Sequence, residues 1–501
     1  MRVVIWGTGD NGETFFEKIY PIIKNDVEIV GFADERYRGY FHGFPILTPK
    51  ESERLAPDYI IFTESSVGNT HKNAHQIVSE KYADKVLTTG ELFSILIEKG
   101  FFEDKKVLFY GCKQSYDVES PGADSVFEST EFISDEEPEK LIDSDKYDFV
   151  FICPIRWVTE EETKRYNQKI RKCLIKTGIP YEKIFDEKVW ADFYVRSVIR
   201  LKTNGEKNPD KKFLIFHPRG LGGLAVVMQD VLWVMDYADK HGFIPVVDMM
   251  NYQNIYLPSD GIGRVNPWEW YFQQISDYNL SEVYESKNVY LFSNYMDYTD
   301  FADFNRLILS DKAREEVDKE YVRLFPKNTD RVLGVIYRGT DYYTAAGHPN
   351  PLEPEEFAEK INRIMENNQF EYVFLATEVY EVTEIFKKRF GEKCFFTDQR
   401  RFSSSERNFL GTLHFDRADD EYKKGMEYLT VLMLLRKCKG IAGAACTAHA
   451  IATVQHDGLE CNTILSLQAR NKDNHLSKNI RFIKKLLRRI MRILQIGAYS
   501  K

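Results

Sequence analysis

Residues 333–349 read L-G-V-I-Y-R-G-T-D-Y-Y-T-A-A-G-H-P. An apolar run from Val332 to Tyr337 ends in a fixed cation, a hydroxyl and a carboxylate: Arg338, Thr340 and Asp341. A glycine and His348 follow. The pattern predicts a buried parallel strand that delivers charge at its C-terminal end, where open α/β sheets place their ligands. An arginine there suits a phosphate, because its planar fork donates two hydrogen bonds and keeps its charge. An ordinary strand end with a weak Arg–Asp surface pair would carry the same residues.

Working outward, the alternation is regular. Strands are predicted at 332–337, 371–376, 393–397, 439–443 and 462–466, with helices near 354–367, 380–390, 421–437 and 447–455. That spacing indicates a parallel sheet with right-handed crossovers. Near its end, A-G-A-A-C-T-A-H-A runs small residues into a helix, with Thr447 and the backbone N–H groups of Ala445 to Ala448 as candidate phosphate donors. Upstream, a strand at Phe213–Phe216 runs into H-P-R-G-L-G-G-L, then a helix from Val226 to Tyr237 and a strand at Phe243–Val247. Gly220, Gly222 and Gly223 with Arg219 form a loop that is either a tight turn or a seat for an anion or an oxygen-rich sugar. Between 251 and 274, Tyr252, Asn254, Tyr256, Asn266, Trp268, Trp270, Tyr271 and Phe272 suit sugar faces and equally suit a packed irregular loop. Two such α/β halves suggest a cleft between them.

The first 200 residues hold two further α/β units. Arg2 to Trp6 is a strand that runs through Gly7 into T-G-D-N-G, and Gly7, Gly9 and Gly12 complete G-x-G-x-x-G ahead of a helical pattern. A second strand, Val27 to Ala33, ends at Asp34, where an acidic residue would meet a ribose hydroxyl. The glycines would serve equally to let the helix pack close to the strand. The pattern restarts at Lys106–Tyr110 with Gly111 and Cys112, but the later glycines are missing, so this unit reads as structural or as an interface. Residues 203–212, T-N-G-E-K-N-P-D-K-K, are the best linker candidate.

Composition bounds the rest. A chain of 501 residues with 43% apolar side chains can bury several cores. A net charge of −9 argues against a general nucleic-acid binder. Seven cysteines without C-x-x-C or paired Cys/His spacing give neither a disulfide framework nor a zinc site. No signal peptide or spanning helix is evident, so the expected compartment is the cytoplasm. From Lys478 to Arg492 seven basic residues and no acidic ones accompany apolar residues at helical spacing, Ile480, Ile483, Leu487, Ile490 and Leu494. This is the signature of an interfacial anchor on anionic lipid, which would make the protein peripheral at the inner membrane face. A helix docked on the protein's own acidic surface would look alike.

At V-I-Y-R-G-T-D-Y the sequence resembles the H-x-R-x-x-D motif of the fucosyltransferase superfamily, which includes nodulation and N-glycan α-1,6-fucosyltransferases. F-L-A-T-E at Phe374–Glu378, Glu427 to Ala450, and R-G-L-G-G-L-A-V-V-M-Q are similar to further family motifs, in order, over about residues 211–470. The resemblance implies a GT-B-like pair of α/β domains that transfers fucose, or a related sugar, from a GDP-sugar without a metal. Carried over by position, Arg338 would hold the diphosphate and Asp341 would orient it. Gly222, Gly223, Thr340, Thr377, Glu378, Ala445 and Thr447 would line the donor site. The family's histidine position is Ile336 here, and its second arginine is Gly339. His348 is the candidate base for the acceptor hydroxyl.

The expected organisation is therefore α/β throughout: Rossmann-like units at 1–100 and 101–202, GT-B-like domains at 211–328 and 329–475, and a basic tail at 476–501. The expected acceptor is a surface glycan or lipid-linked oligosaccharide. The rival reading is an NAD- or nucleotide-sugar-dependent oxidoreductase or epimerase centred on Gly7, Gly9, Gly12 and Asp34, with a bound nucleotide. A third is a non-enzymatic scaffold of a glycan assembly complex.

Overall fold

The computed structural model describes residues 1–465 except 36, 64–76, 114, 117–119, 121, 137–141, 144, 156–159, 186–197, 203–204, 219, 221, 259, 294–302, 326–330, 344–350, 407–410, 412 and 457. His348 and the basic tail thus lie outside the described residues. The chain divides into two compact units, Met1–Glu316 with His414–Leu429, and Val317–Leu413 with Thr430–Lys501.

The first unit contains three sheets. Strands β1 (Arg2–Trp6), β2 (Glu28–Ala33), β3 (Gly39–Phe41), β4 (Phe44–Leu47), β5 (Tyr59–Phe62) and β6 (Val86–Thr88) order as β3-β4-β2-β1-β5-β6. Only the β3–β4 hairpin is antiparallel. Both faces of β1 are buried: Val3 and Ile5 enter one apolar cluster, Val4 and Trp6 the other, as the two-residue period of a strand requires. Strands β7 (Lys106–Gly111), β8 (Ser129–Ser134), β9 (Phe149–Cys153) and β10 (Ile184–Phe185) form an all-parallel sheet ordered β10-β9-β7-β8. Val107 and Phe109 of β7 share the cluster that holds Val3 and Ile5, with Leu92, Phe93 and Leu96 of the helix Thr89–Glu98 in the same core. That helix starts on a full capping box, Thr88 with Glu91.

The third sheet comprises β11 (Val198–Arg200), β12 (Phe213–His217), β13 (Ile244–Val247) and β14 (Val289–Ser293), ordered β11-β14-β12-β13, with β11 antiparallel. The stretch expected to be a linker is docked on it. Lys207 N–H donates to the Glu285 carbonyl at 3.0 Å and its own carbonyl accepts from Lys287 N–H at 2.9 Å. A Cβ on Gly205 would lie 2.0 Å from the Glu285 carbonyl oxygen. The polar composition was read correctly; the backbone pairing that composition conceals makes the segment part of the sheet's rim.

The second unit has one all-parallel sheet: β15 (Val332–Tyr337), β16 (Tyr372–Thr377), β17 (Cys394–Phe395), β18 (Gly440–Gly443) and β19 (Cys461–Ile464), ordered β17-β16-β15-β18-β19. All six residues of β15 are buried, as expected for a strand covered on both faces. The helix Pro354–Asn368 shows why sequence suffices here. Proline opens it, Gln369 ends it in a left-handed conformation, and Phe357, Ala358, Ile361 and Met365 make its buried stripe. Burying Phe357 and Ile361 contributes roughly 1.5–3 kcal/mol each. Strand β17 is shorter than the predicted 393–397. Beyond Phe395 the backbone is satisfied by side chains, with Arg401 donating to the Thr397 carbonyl at 2.8 Å.

All four sheets share one plan. The strand that opens the parallel part, β1, β7, β12 or β15, is central; the chain fills one side and then returns to the other. Such a reversal opens a crevice at the carboxyl end of that strand. The four strand ends are Gly7–Thr8–Gly9, Gly111–Cys112, His217–Pro218 and Arg338–Gly339–Thr340. Among the described residues no helix is long and apolar enough to cross a membrane, and none of the seven cysteines is in a disulfide.

Candidate functional site

At the end of β15 the neighbouring chain passes unusually close. Gly443 at φ +145° pairs with Ile336, and a Cβ there would sit 2.1 Å from the Ile336 carbonyl oxygen. Only glycine fits, and Ala444 N–H then bonds the same oxygen at 2.9 Å. Arg338 is the next side chain out. Its guanidinium lies 3.2 Å from Asp341 Oδ1 and 3.3 Å from Glu378 Oε2, and 4.7 Å from the centroid of the Tyr342 ring. Two carboxylates and a ring face thus fix its plane. Glu378 also accepts from Gly339 N–H at 2.9 Å. Thr340 is fully buried at φ +44°, a strained setting for a β-branched residue. Its hydroxyl, 3.0 Å from Asp341 Oδ1 and 3.3 Å from Glu378 Oε1, ties it there.

Of the residues expected at a donor site, the structure brings Arg338, Thr340, Asp341 and Glu378 together. Thr377 is turned aside: its hydroxyl accepts from Val379 N–H at 3.1 Å, closing its own turn. Ala445 and Thr447 are half-buried, with Thr447 opening a seven-residue helix whose N-cap, Cys446, makes no side-chain capping bond. Burial pushes the Cys446 thiol up although the charge of Arg338 pulls it down. Burial likewise raises the Tyr342 hydroxyl to about 12 against the opposing pull of Arg338. Gly339 has no room for an arginine as it stands, since its Cβ would lie 2.5 Å from Val379 Cγ2. Ile336 is packed in the core beneath the site. One cation therefore faces two carboxylates, an electrostatically acidic balance for a diphosphate seat.

In the first unit, Gly220 accepts from Ile255 N–H at 2.9 Å, and Gly223 caps the 18-residue helix Leu224–His241 in an extended conformation. Gly222 is half-buried. Two residues that sequence reasoning missed sit beside this loop. His217, the last residue of β12, lies with Nε2 3.1 Å from Asp248 Oδ2, just past β13. Asp248 Oδ2 also accepts from Tyr284 OH at 2.6 Å and Asn251 Nδ2 at 2.8 Å, and Oδ1 accepts from two backbone N–H groups. Burial alone would raise this carboxyl, but the bonds from His217, Tyr284 and Asn251 hold it down at about 2. A polar residue closing each of two adjacent buried strands was the available signal.

At the N-terminus, a Cβ on Gly12 would lie 2.0 Å from the Gly7 carbonyl oxygen, so the helix touches the strand end there; Gly9 meets nothing within 4 Å. Asp34 is buried, and its Oδ2 accepts from Thr8 Oγ1 at 2.6 Å and Thr8 N–H at 3.2 Å. The carboxylate expected to face a ribose is engaged by the loop itself. Of the metal-type side chains among the described residues, His414, Asp420 and Glu421 cluster, but Asp420 already accepts from Arg417 at 2.6 Å and Lys424 lies 3.2 Å away. Asp143 and Asp145 form a local turn, with Asp145 N–H on Asp143 Oδ1 at 3.1 Å.

A family model described as C2185-like, N-terminal, matches residues 1–83, which hold β1 to β5 of the first sheet. Among curated proteins none matches. Among solved structures the chain is similar to the fucosyltransferase NodZ from Bradyrhizobium at 12% identity and TM-score 0.34, over 48% of this chain and 92% of that one. It is similar to POFUT1 in complex with GDP at 11% and 0.29, over 51% and 98%. It is also similar to Arabidopsis thaliana FUT1 in complex with GDP at 12% and 0.32, over 64% and 80%. At these scores none of the likenesses fixes the chemistry of this chain, which has to come from its own residues.

Proposed function

We propose that this chain is a glycosyltransferase that takes fucose, or a related sugar, from a GDP-sugar, with Arg338 as the cation that receives the diphosphate. The observation that carries the reading is Arg338 itself: a guanidinium held in one plane by Asp341, Glu378 and Tyr342 at the crevice end of the central strand. The four ordered motifs of the sequence support it. In the reaction an acceptor hydroxyl oxygen attacks the anomeric carbon, the carbon–phosphate oxygen bond breaks, and GDP leaves with the electron pair. A fixed fork beside that departing oxygen stabilises charge that grows only in the transition state. A single displacement of this kind inverts the anomeric centre, and the reading assigns it no metal. Asp341 and Glu378 orient the fork; His348 is the candidate for taking the acceptor's proton.

The finer reading is a GT-B-like pair of domains at 211–328 and 329–475 behind two Rossmann-like units. The acceptor is a surface glycan or lipid-linked oligosaccharide, reached through a tail that meets anionic lipid from the cytoplasmic side. Liposomes of anionic lipid should retain the full chain at low salt and release a chain ending at Asp473; equal retention would refute the anchor.

The main test is GDP titration and sugar transfer or hydrolysis from labelled GDP-fucose. Arg338→Ala should abolish both binding and transfer, and Gly9→Asp should leave both intact. The opposite pattern would favour the nucleotide-dependent enzyme centred on the first sheet. A wild type that neither transfers nor hydrolyses would favour the scaffold.

A further inference from the structure

We infer that His217 is the fixed hydrogen-bond acceptor of a saccharide subsite at the crevice end of β12, with Asp248 as its positioning residue. The inference starts from an unused atom. His217 is 5% exposed, and its Nδ1 is buried with no hydrogen-bond partner among the described residues, while Nε2 faces Asp248. A carboxylate that already takes four other hydrogen bonds can only accept, so Nε2 carries the proton. In the neutral ring Nδ1 is then a bare lone pair. The ring cannot turn to hide it, because it lies against Tyr252 at a centroid distance of 4.6 Å and 17° between planes. Tyr252 is itself tied to the Pro218 carbonyl at 2.5 Å.

Place distinguishes this nitrogen from an ordinary packing fault. Histidine 217 closes the central strand of its sheet, at the reversal point where parallel sheets open a crevice. Six residues on, at the start of the following helix, a Cβ at Gly223 would meet nothing within 4 Å, so there is open space at that position. A lone-pair acceptor asks for a donor. The two carboxylates that bear on the Tyr252 hydroxyl, Asp248 and Asp230, disfavour an anion there. A neutral hydroxyl does both jobs: it donates its proton to Nδ1 and brings no charge, and the tyrosine-rich surround suits a sugar ring. The inference rests on the glycosyl-transfer reading only for choosing a saccharide among hydroxyl donors.

The substitution His217→Gln separates a ligand role from a structural one. The glutamine amide nitrogen replaces Nε2 as donor to Asp248, while nothing replaces the acceptor at Nδ1. Fluorescently labelled full-length chain is applied to a printed saccharide array, and thermal unfolding and GDP titration are run in parallel. Wild type should bind at least one saccharide; His217→Gln should unfold within a few degrees of wild type and bind that saccharide at least tenfold more weakly. Asp248→Asn should also lose it, because an amide can donate to Nε2 and send the proton to Nδ1. Arg338→Ala should keep the saccharide and lose GDP, so failure of the donor reading and failure of this one appear in different columns. Undiminished binding by His217→Gln, or no saccharide bound by wild type, overturns the proposal. Should His217→Gln fail to fold, the Nδ1 resonance of ¹⁵N-histidine-labelled wild type decides: it should move when the bound saccharide is added, and a stationary resonance overturns the subsite.

Discussion

Replacing Gly443 by alanine should break the second unit while leaving the first untouched. The Cβ would stand 2.1 Å from the Ile336 carbonyl oxygen and 2.8 Å from its carbon, so backbone must retreat from backbone by about 1 Å. Two hydrogen bonds are lost in that retreat, Ala444 N–H to Ile336 O at 2.9 Å and Leu465 N–H to Gly443 O at 2.7 Å. Each is worth about 0.5–1.5 kcal/mol net. Forcing a side chain to φ +145° adds about 1–3 kcal/mol of strain. The sum, roughly 2–6 kcal/mol, exceeds the usual cost of a point substitution over most of its range and reaches the severe class at its upper end. The sequence supplies its own reporter arrangement: the six tryptophans, at 6, 157, 190, 233, 268 and 270, all lie in the first unit. Hydrogen exchange in peptides covering 332–337 and 440–443 should accelerate at least a hundredfold, while the tryptophan-detected urea transition stays where it was. The control is Gly223→Ala, with nothing within 4 Å of its Cβ and an ordinary φ of −63°, which should leave exchange in the β15 and β18 peptides unchanged and cost the first unit no more than the small penalty of a poorer N-cap. Protection of the β15 and β18 peptides within tenfold of wild type would refute the close-approach argument.

Three further outcomes follow from the same geometry. Arg338→Lys keeps the charge but loses the fork, so GDP affinity should fall about tenfold or more by titration; unchanged affinity would mean the two-pronged grip is not used. Because Asp248 is held at about 2 against an ordinary 3.8, it contributes roughly 2 kcal/mol that is complete above about pH 4 and lost as pH falls toward 2. Urea transitions between pH 5 and 2.5 should show this loss in wild type, and Asp248→Asn should be less acid-dependent over that window. Thr8→Val removes a donor from a buried carboxylate and should cost about 1–3 kcal/mol in the tryptophan-detected transition; a shift below about 0.5 kcal/mol would leave the Thr8–Asp34 bond without structural weight.

Much of the architecture could be read from apolar runs and the residues that interrupt them. Strand β15 matched its expected bounds, Val332 to Tyr337, and the helix Tyr380–Phe390 did too, because periodicity is a local property of the chain. Arg338 and Glu378 were legible as charges at strand ends, although nothing in either segment reveals that Glu378 reaches the Arg338 guanidinium. The His217–Asp248 pair was not legible, since 31 residues separate the partners and only strand register brings them together. Gly443 hid for a related reason: in A-G-A-A-C its glycine looks like one more small residue, and only the approach of β15 makes it obligatory. The polar stretch 203–212 misled because composition reports which side chains favour water and says nothing about where backbone groups find partners.

The placement of each sheet's first parallel strand at its centre also bears on the order of assembly during synthesis. As the chain emerges, β1, β7, β12 and β15 each precede the strands that flank them, so most later strands can add to an edge already waiting. Strand β3 waits only for β4, the next strand of its own hairpin, whereas β11 waits far longer, because its partner β14 arrives about 90 residues later. At about 5–20 residues per second, that leaves Val198–Arg200 roughly 5–20 s without its neighbour. Chaperone contact during translation should therefore concentrate on this one segment, at the seam between the second and third sheets.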